Sequence, residues 1–234
     1  DGFDDVILGS PAALNGRGIT HVIFGSSNIA GRDSIDLSLP ASGILRIAGK
    51  SALDWSGFAV ASGNLNGDAY DDIIIGAYRA DPGGRINAGE VYVIFGSSTM
   101  HTRGTIDLSG SPSGVLRIYG HRPEDGFGFS LAAGRVKGDS CEDLIIGAYR
   151  GDPLLRGDAG EVCIVFGSSS LHKQTVIDLS ASPSGVTRIY SETAGDLVGS
   201  AVAAGDFDGD GFADVIMGGT GALKIGADYL KQLM

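Results

Sequence analysis

The chain has 234 residues, 43% of them hydrophobic, which is enough for a substantial core and excludes wholesale disorder. Its formal net charge of -11 argues against nucleic acid and anionic membrane surfaces as partners, since both call for clustered Lys and Arg. No apolar run approaches the roughly 18–20 residues of a membrane span, and 39 glycines without a Gly-X-Y period point to many tight turns.

Three series of near-identical segments divide the chain. VIFGSS at 22–27 and 93–98 and IVFGSS at 164–169 recur every 71 residues. DDIIIGAY at 71–78 returns as EDLIIGAY at 142–149 and more loosely as ADVIMGGT at 213–220. LPASGILRI, SPSGVLRI and SPSGVTRI form the third series, so the chain holds about three copies of one unit.

Each unit reads as four short strands, A to D, separated by turns rich in Gly, Asp, Ser and Pro. In chain order, residues 1–56 supply a partial blade, strands B to D, and open inside half of an Asp-rich loop. Residues 57–126 form a complete blade, with strands at about 57–62, 72–77, 90–95 and 114–119. Residues 127–198 form a second, and 199–222 begin a further one with strands A and B. Residues 223–234 match no repeat and read as a short helix or a non-native end. Strand C of the middle copy (Val91, Tyr92, Val93, Ile94, Phe95) is continuously apolar and predicts cover on both faces; strand D is mixed and fits an outer position. The predicted fold is all-β, a β-propeller of four-stranded antiparallel blades, with about three blades present and the ring incomplete. A β-solenoid is the rival, but its repeats are usually shorter.

The A–B loops carry the chemistry. Asp206, Asp208, Asp210 and Asp214 occupy positions 1, 3, 5 and 9 of one loop, with the Phe212 carbonyl at position 7. Hard oxygens at alternate positions around a glycine turn suit Ca²⁺, which takes roughly 6–8 oxygen ligands. The frame recurs as Asn64, Asn66, Asp68, Tyr70 and Asp72, where two Asn lower the charge and the expected affinity. At 135–143, Arg135 and Lys137 take positions 1 and 3 beside Asp139 and Asp143, so this loop is expected to be metal-free, with a cation neutralising the aspartates. Asp1, Phe3 and Asp5 form a half-loop without its first ligands. An EF-hand is excluded, because position 12 is Met217 or Ile75 and not a bidentate glutamate. The ion is expected to be structural, with no base or open coordination site nearby.

These residues resemble a known family, the FG-GAP repeats that form the β-propeller head of integrin α subunits. Phe127-Gly128 matches the FG element, with Ser56-Gly57 and Val198-Gly199 as looser versions. Gly76-Ala77-Tyr78 and Gly147-Ala148-Tyr149 stand where the family has Gly-Ala-Pro, and Gly9-Ser10-Pro11 keeps the proline. The resemblance implies a calcium-stabilised, noncatalytic module at the cell surface or outside it, used for adhesion or protein recognition. The absence of Asn-x-Ser/Thr and of a disulfide framework leans towards a bacterial-type relative. The ring is expected to be completed by further blades of a longer chain or by other chains. Two alternatives are an accessory propeller of a secreted enzyme with its catalytic domain elsewhere, and a carbohydrate-binding propeller.

Strand alternation puts the metal loops on one rim and a partner, protein or glycan, on the opposite face. That face is expected to carry Tyr78, Arg79, Asp81, Arg85, His121, Arg122, Glu124, Tyr149, Arg150 and Asp152. Two Arg-Gly-Asp tripeptides, 150–152 and 156–158, read as chance in a Gly- and Asp-rich chain. The repeated Ile-Asp-Leu-Ser (Asp36, Asp107, Asp178) reads as a hydrogen-bonding turn. Trp55 is expected to pack between blades, Cys141 and Cys163 to be buried and unpaired, and the scattered histidines to bind no metal. Nothing reads as an active site.

Overall fold

The computed structural model describes residues 2–31, 33–38 and 43–221. Asp1 and the expectation for 223–234 lie outside the described residues. The elements follow the repeat. The first unit contains β1 (Val6–Ser10), β2 (Ile19–Ile23) and β3 (Ile44–Ala48). The second contains β4 (Ala59–Gly63), β5 (Asp72–Ala77), β6 (Glu90–Ile94), the short β7 (Thr105–Asp107) and β8 (Val115–Tyr119). The third contains β9 (Phe127–Gly134), β10 (Asp143–Ala148), β11 (Glu161–Val165), β12 (Val176–Asp178) and β13 (Val186–Tyr190). A hairpin, β14 (Val198–Gly205) and β15 (Asp214–Gly219), begins the fourth. The fold is all-β, an incomplete propeller with its sheets stacked side by side.

Within each unit the strands run antiparallel in the order A-B-C-D, as β4-β5-β6-β8 and β9-β10-β11-β13. The structure adds a feature to the four-stranded blade. In the second and third blades the Ile-Asp-Leu-Ser segment of the C–D connection begins in a short strand that leaves its own blade. β7 pairs parallel to β3 and β12 parallel to β8, so the second and third blades each lend a strand to the outer edge of the one before. The expected turn is also present, since Asp107 and Asp178 accept the Ser109 and Ser180 amides, each at 2.9 Å.

The core lies between blades. Ile73 and Ile75 face Val22, Leu45 and Ile47 of the first blade, whereas Ile74 faces Phe127, Leu144 and Ile146 of the third. Side chains alternate across a strand, so a central strand flanked by two blades must be apolar at every position. β5, β6, β10 and β11 are accordingly buried throughout. Each such Ile or Val contributes about 1.5–3 kcal/mol by leaving water. Strands β14 and β15, covered on one side only, are half-exposed and alternate.

The FG and GAP elements explain one another at these junctions. A methyl group on Gly76 would fall 2.1 Å from the carbonyl oxygen of Gly128, and one on Gly147 at the same distance from that of Gly199. Gly128 and Gly199 adopt φ values of 87° and 92°, in the left-handed region that favours glycine. The glycine of each GAP-like element therefore receives the backbone bend of the next blade's FG-like element.

Candidate functional site

In 206–214 the hairpin turn folds back through Gly209 and Gly211, and its side-chain oxygens bind its own amides. Asp206 accepts from Gly209 (2.8 Å), Asp210 (3.2 Å) and Gly211 (3.0 Å). Asp208 accepts from Asp210 at 3.1 Å, and Asp210 from Phe212 at 2.8 Å. This draws carboxylate oxygens of Asp206, Asp208 and Asp210 within 4.8 Å of one another, all exposed. No Lys or Arg pairs with them among the described residues. Three anionic groups at that spacing repel, and a divalent cation relieves them. Asp214 stands slightly apart and accepts the Phe207 amide at 2.9 Å.

The loop at 64–72 has the same trace but resolves its charge differently. Asn64 donates its amide to the Asp68 carbonyl (2.6 Å) while accepting from Gly67 (2.8 Å). Asn66 donates to the Asp68 carboxylate at 2.9 Å and accepts its amide at 3.0 Å. Asp68 also accepts from Tyr70 at 2.7 Å. Amide N–H groups of Asn64 and Asn66 thus face the Asp68 oxygens. Asp72 is fully buried and clamps Leu65 and Gly96, both at 3.0 Å; burial pushes its carboxyl up to about 6. The clamp recurs in the cation-bearing loop, where Asp143 accepts from Lys137 (2.7 Å) and Gly167 (2.9 Å). Position 9 is therefore a structural device of the repeat, whether or not it also ligates. In that loop Lys137 lies 2.8 Å from Asp139, the internal neutralisation expected from sequence.

On the opposite side the described loops are largely committed to one another. Asp81 and Asp152 close their own loops by accepting the Asn87 and Asp158 amides, at 2.7 and 2.6 Å. Arg85 reaches Asp178, Arg122 donates to the Asp152 carbonyl (2.6 Å), and Arg150 pairs with Asp158 (3.1 Å) and Glu124 (3.8 Å). Both Arg-Gly-Asp tripeptides are folded into this network, with Arg156 donating to the carbonyls of Pro153 and Glu192. His121 contacts Arg188 at 3.3 Å.

Sequence reasoning missed what Tyr78 and Tyr149 build. Trp55, Phe58, Tyr78, Phe129 and Tyr149 form one continuous row, with ring centroids 4.5 Å apart for Phe58–Tyr78, 4.8 Å for Phe58–Phe129 and 4.2 Å for Phe129–Tyr149. The Arg79 guanidinium lies over the Trp55 ring at 4.5 Å, which places Trp55 in this row as well as beside Gly16 of the first blade. A cavity of about 240 Å³ opens beside the row, lined by Tyr78, Arg79, Asn87, Glu124, Tyr149 and Arg150. The signal lay in two motifs read separately. The residue after each FG glycine (Phe58, Phe129) meets the residue ending each Gly-Ala-Tyr (Tyr78, Tyr149).

Comparison with known proteins agrees with this geometry. A family model described as FG-GAP repeat matches residues 56–94 and 198–228. The chain is 34% identical to phosphatidylinositol-glycan-specific phospholipase D of Bos taurus over 162 residues, 69% of this chain and 18% of that protein. It is 29% identical to integrin alpha-IIb of Mus musculus over 195 residues, 80% of this chain and 17% of that protein. Integrin alpha-PS2 of Drosophila melanogaster is 28% identical over 186 residues, 75% of this chain and 12% of that protein. The chain thus spans less than a fifth of the length of the curated relatives it matches. Its interlocked glycines, its Asx-rich A–B loops and these matches together show that the chain is built of FG-GAP repeats, similar to those of integrin α subunits.

Proposed function

We propose that this chain is a noncatalytic, calcium-binding propeller module for extracellular protein recognition or cell adhesion. The observation that carries the metal reading is the group of three facing carboxylates at Asp206, Asp208 and Asp210, gathered by the turn's own amides and unmatched by any described cation. Asp206, Asp208, Asp210, Asp214 and the Phe212 carbonyl would hold the ion. Asn64, Asn66, Asp68, Asp72 and the Tyr70 carbonyl would form a weaker second site. Bound calcium supplies two positive charges that cancel repulsion within the hairpin.

The partner surface is the aromatic row and its cavity, where Phe58 is exposed, Trp55, Phe129 and Tyr149 are half-buried and Tyr78 is buried beneath them on a stiff scaffold. The likeness to integrin α subunits supports a protein ligand, and an extracellular setting follows from the same likeness. The match to a phospholipase D favours a second reading, an accessory propeller of an enzyme whose chemistry lies in other sequence. No helix among the described residues is long and apolar enough to cross a membrane.

Calcium titration tests the proposal. Thermal melting is expected to rise with calcium, by about 2.7 kcal/mol of stability at a hundredfold excess over Kd. Asp210→Ala is expected to remove most of that gain, and Asp68→Ala a smaller part at higher calcium. Equal calcium response in wild type and Asp210→Ala would refute the assignment.

A further inference from the structure

The lent strand is the feature of this fold that the metal and aromatic sites leave unexplained. It is made twice, in one register. Against β3, Arg46, Ile47 and Ala48 lie opposite Thr105, Ile106 and Asp107; against β8, Arg117, Ile118 and Tyr119 lie opposite Val176, Ile177 and Asp178. In each case the arginine amide of the receiving strand donates outward, Arg46 to the Gly104 carbonyl at 3.2 Å and Arg117 to that of Thr175 at 3.0 Å. The two apolar residues of the lent segment sink into the junction: Ile106 and Leu108 are 6% and 2% exposed, Ile177 and Leu179 7% and 1%. An arginine from a B–C loop of the receiving blade then seizes the segment's aspartate, Arg17 on Asp107 and Arg85 on Asp178.

The third receiving edge repeats the strand arginine, the strand isoleucine and the B–C loop arginine, which here donates to the Pro153 and Glu192 carbonyls. β13 is an outer strand with no neighbour beyond it among the described residues. It carries Arg188, Ile189 and Tyr190 where β8 has Arg117, Ile118 and Tyr119. Arg156 stands where Arg85 stands, one repeat on, and is half-buried. The edge also shows what it lacks. Ile189 is half-buried where Ile118 is fully buried, and Thr187 is exposed where Leu116 is fully buried. Residues 34–38 supply the converse. In that Ser-Ile-Asp-Leu-Ser segment Asp36 already accepts the Ser38 amide at 2.9 Å, yet Ile35 and Leu37 are only half-buried and no strand among the described residues pairs with it. The segment is shaped before it is used.

We propose that the β13 edge, with Arg156, is a binding site for an extended Ile-Asp-Leu-Ser segment of another repeat, taken up as a parallel strand. A bare strand edge is a template for pairing, and selectivity comes from the pockets and charges beside it. Here the backbone hydrogen bonds admit any strand, the half-buried Ile189 favours a branched apolar residue opposite it, as Ile118 has Ile177, and Arg156 selects the aspartate that follows it. The site extends the reading of the chain as an incomplete ring and is independent of the calcium reading. Residues 34–38 of a second copy are the less suitable occupant, because the β1 strand of that copy would meet the β14–β15 hairpin already in place.

The test is amide exchange measured by NMR on the whole chain, with a peptide of the sequence of residues 173–181 as probe. Saturable binding is expected, with exchange slowed at Arg188 and Tyr190. Asp178→Ala in the peptide, or Arg156→Ala in the protein, is expected to weaken binding about fivefold, the scale of one partly exposed ion pair. Unchanged exchange at Arg188 with millimolar peptide would overturn the proposal. Slowing that appears with protein concentration alone would overturn it in favour of a second copy. The Arg117 amide, already covered, stays slow in every sample; fast exchange there would fault the ring reading instead.

Discussion

At single residues, the junctions between blades hold buried charge with a difference between copies. Where blade two meets blade one, Asp54 and Glu90 are buried with Arg117, and Lys50 lies 3.7 Å from Glu90. Where blade three meets blade two, Asp125, Glu161 and Arg188 repeat the group, but His121 replaces the lysine. Burial and neighbouring Arg188 and Arg122 push His121 down to about 4, so it is neutral at pH 7 and this junction is one positive charge short. Burial, with Glu161 adding, raises the Asp125 carboxyl to about 7, and burial raises its counterpart Asp54 to about 6. The sign follows: folded Asp125 keeps its proton where the unfolded group has lost it, so its contribution is present below about pH 4 and is lost as pH rises through about 7. Asp125→Asn keeps the acceptor for the Arg122 amide and is expected to flatten this decline, gaining on wild type between pH 5 and 8. Denaturant melts at the two pH values check it; parallel curves would count against the shift. The repeat exposed these positions in the sequence, but their burial arises only when three strands and a connector meet.

At the scale of elements, the strands were legible because a central strand between two blades carries an unbroken apolar run after its first residue, as in DIIIG and EVYVIF. The FG and GAP elements were legible as a pattern, not as a contact. Their glycines meet across a junction at a distance that leaves no room for a Cβ, and chain separation hides that from any local reading. Gly76→Ala is expected to cost about 1–3 kcal/mol through overpacking against the Gly128 carbonyl, read as a lower urea midpoint with an unchanged slope. The Ile-Asp-Leu-Ser strand shows the same limit from the other side. Three residues are too few to announce a strand, and its partner belongs to the previous blade, so a turn was the natural local reading.

For the whole molecule, each sheet is stabilised by its neighbours, so position in the stack sets local stability. The second and third blades are buried on both sides, whereas β14 and β15 meet one neighbour. Native-state hydrogen exchange is expected to be slowest in β5, β6, β10 and β11 and fastest in β14–β15, with calcium slowing the hairpin selectively. Uniform protection across all four sheets would contradict a nearest-neighbour stack. The net charge of -11 acts at this scale too, because each bound calcium removes two units of self-repulsion.

The sequence by itself determined the repeat, the strand identities, the all-β propeller class and the Asx ladder at 206–214. All of these are encoded at short range or at a fixed period. Tertiary structure alone decided that Phe58, Tyr78, Phe129 and Tyr149 share one row, and that the second and third blades each lend a strand to the one before. The aromatic row and the lent strand join residues that lie tens of positions apart, and their positions in space follow from how rigid sheets stack, which no local pattern contains.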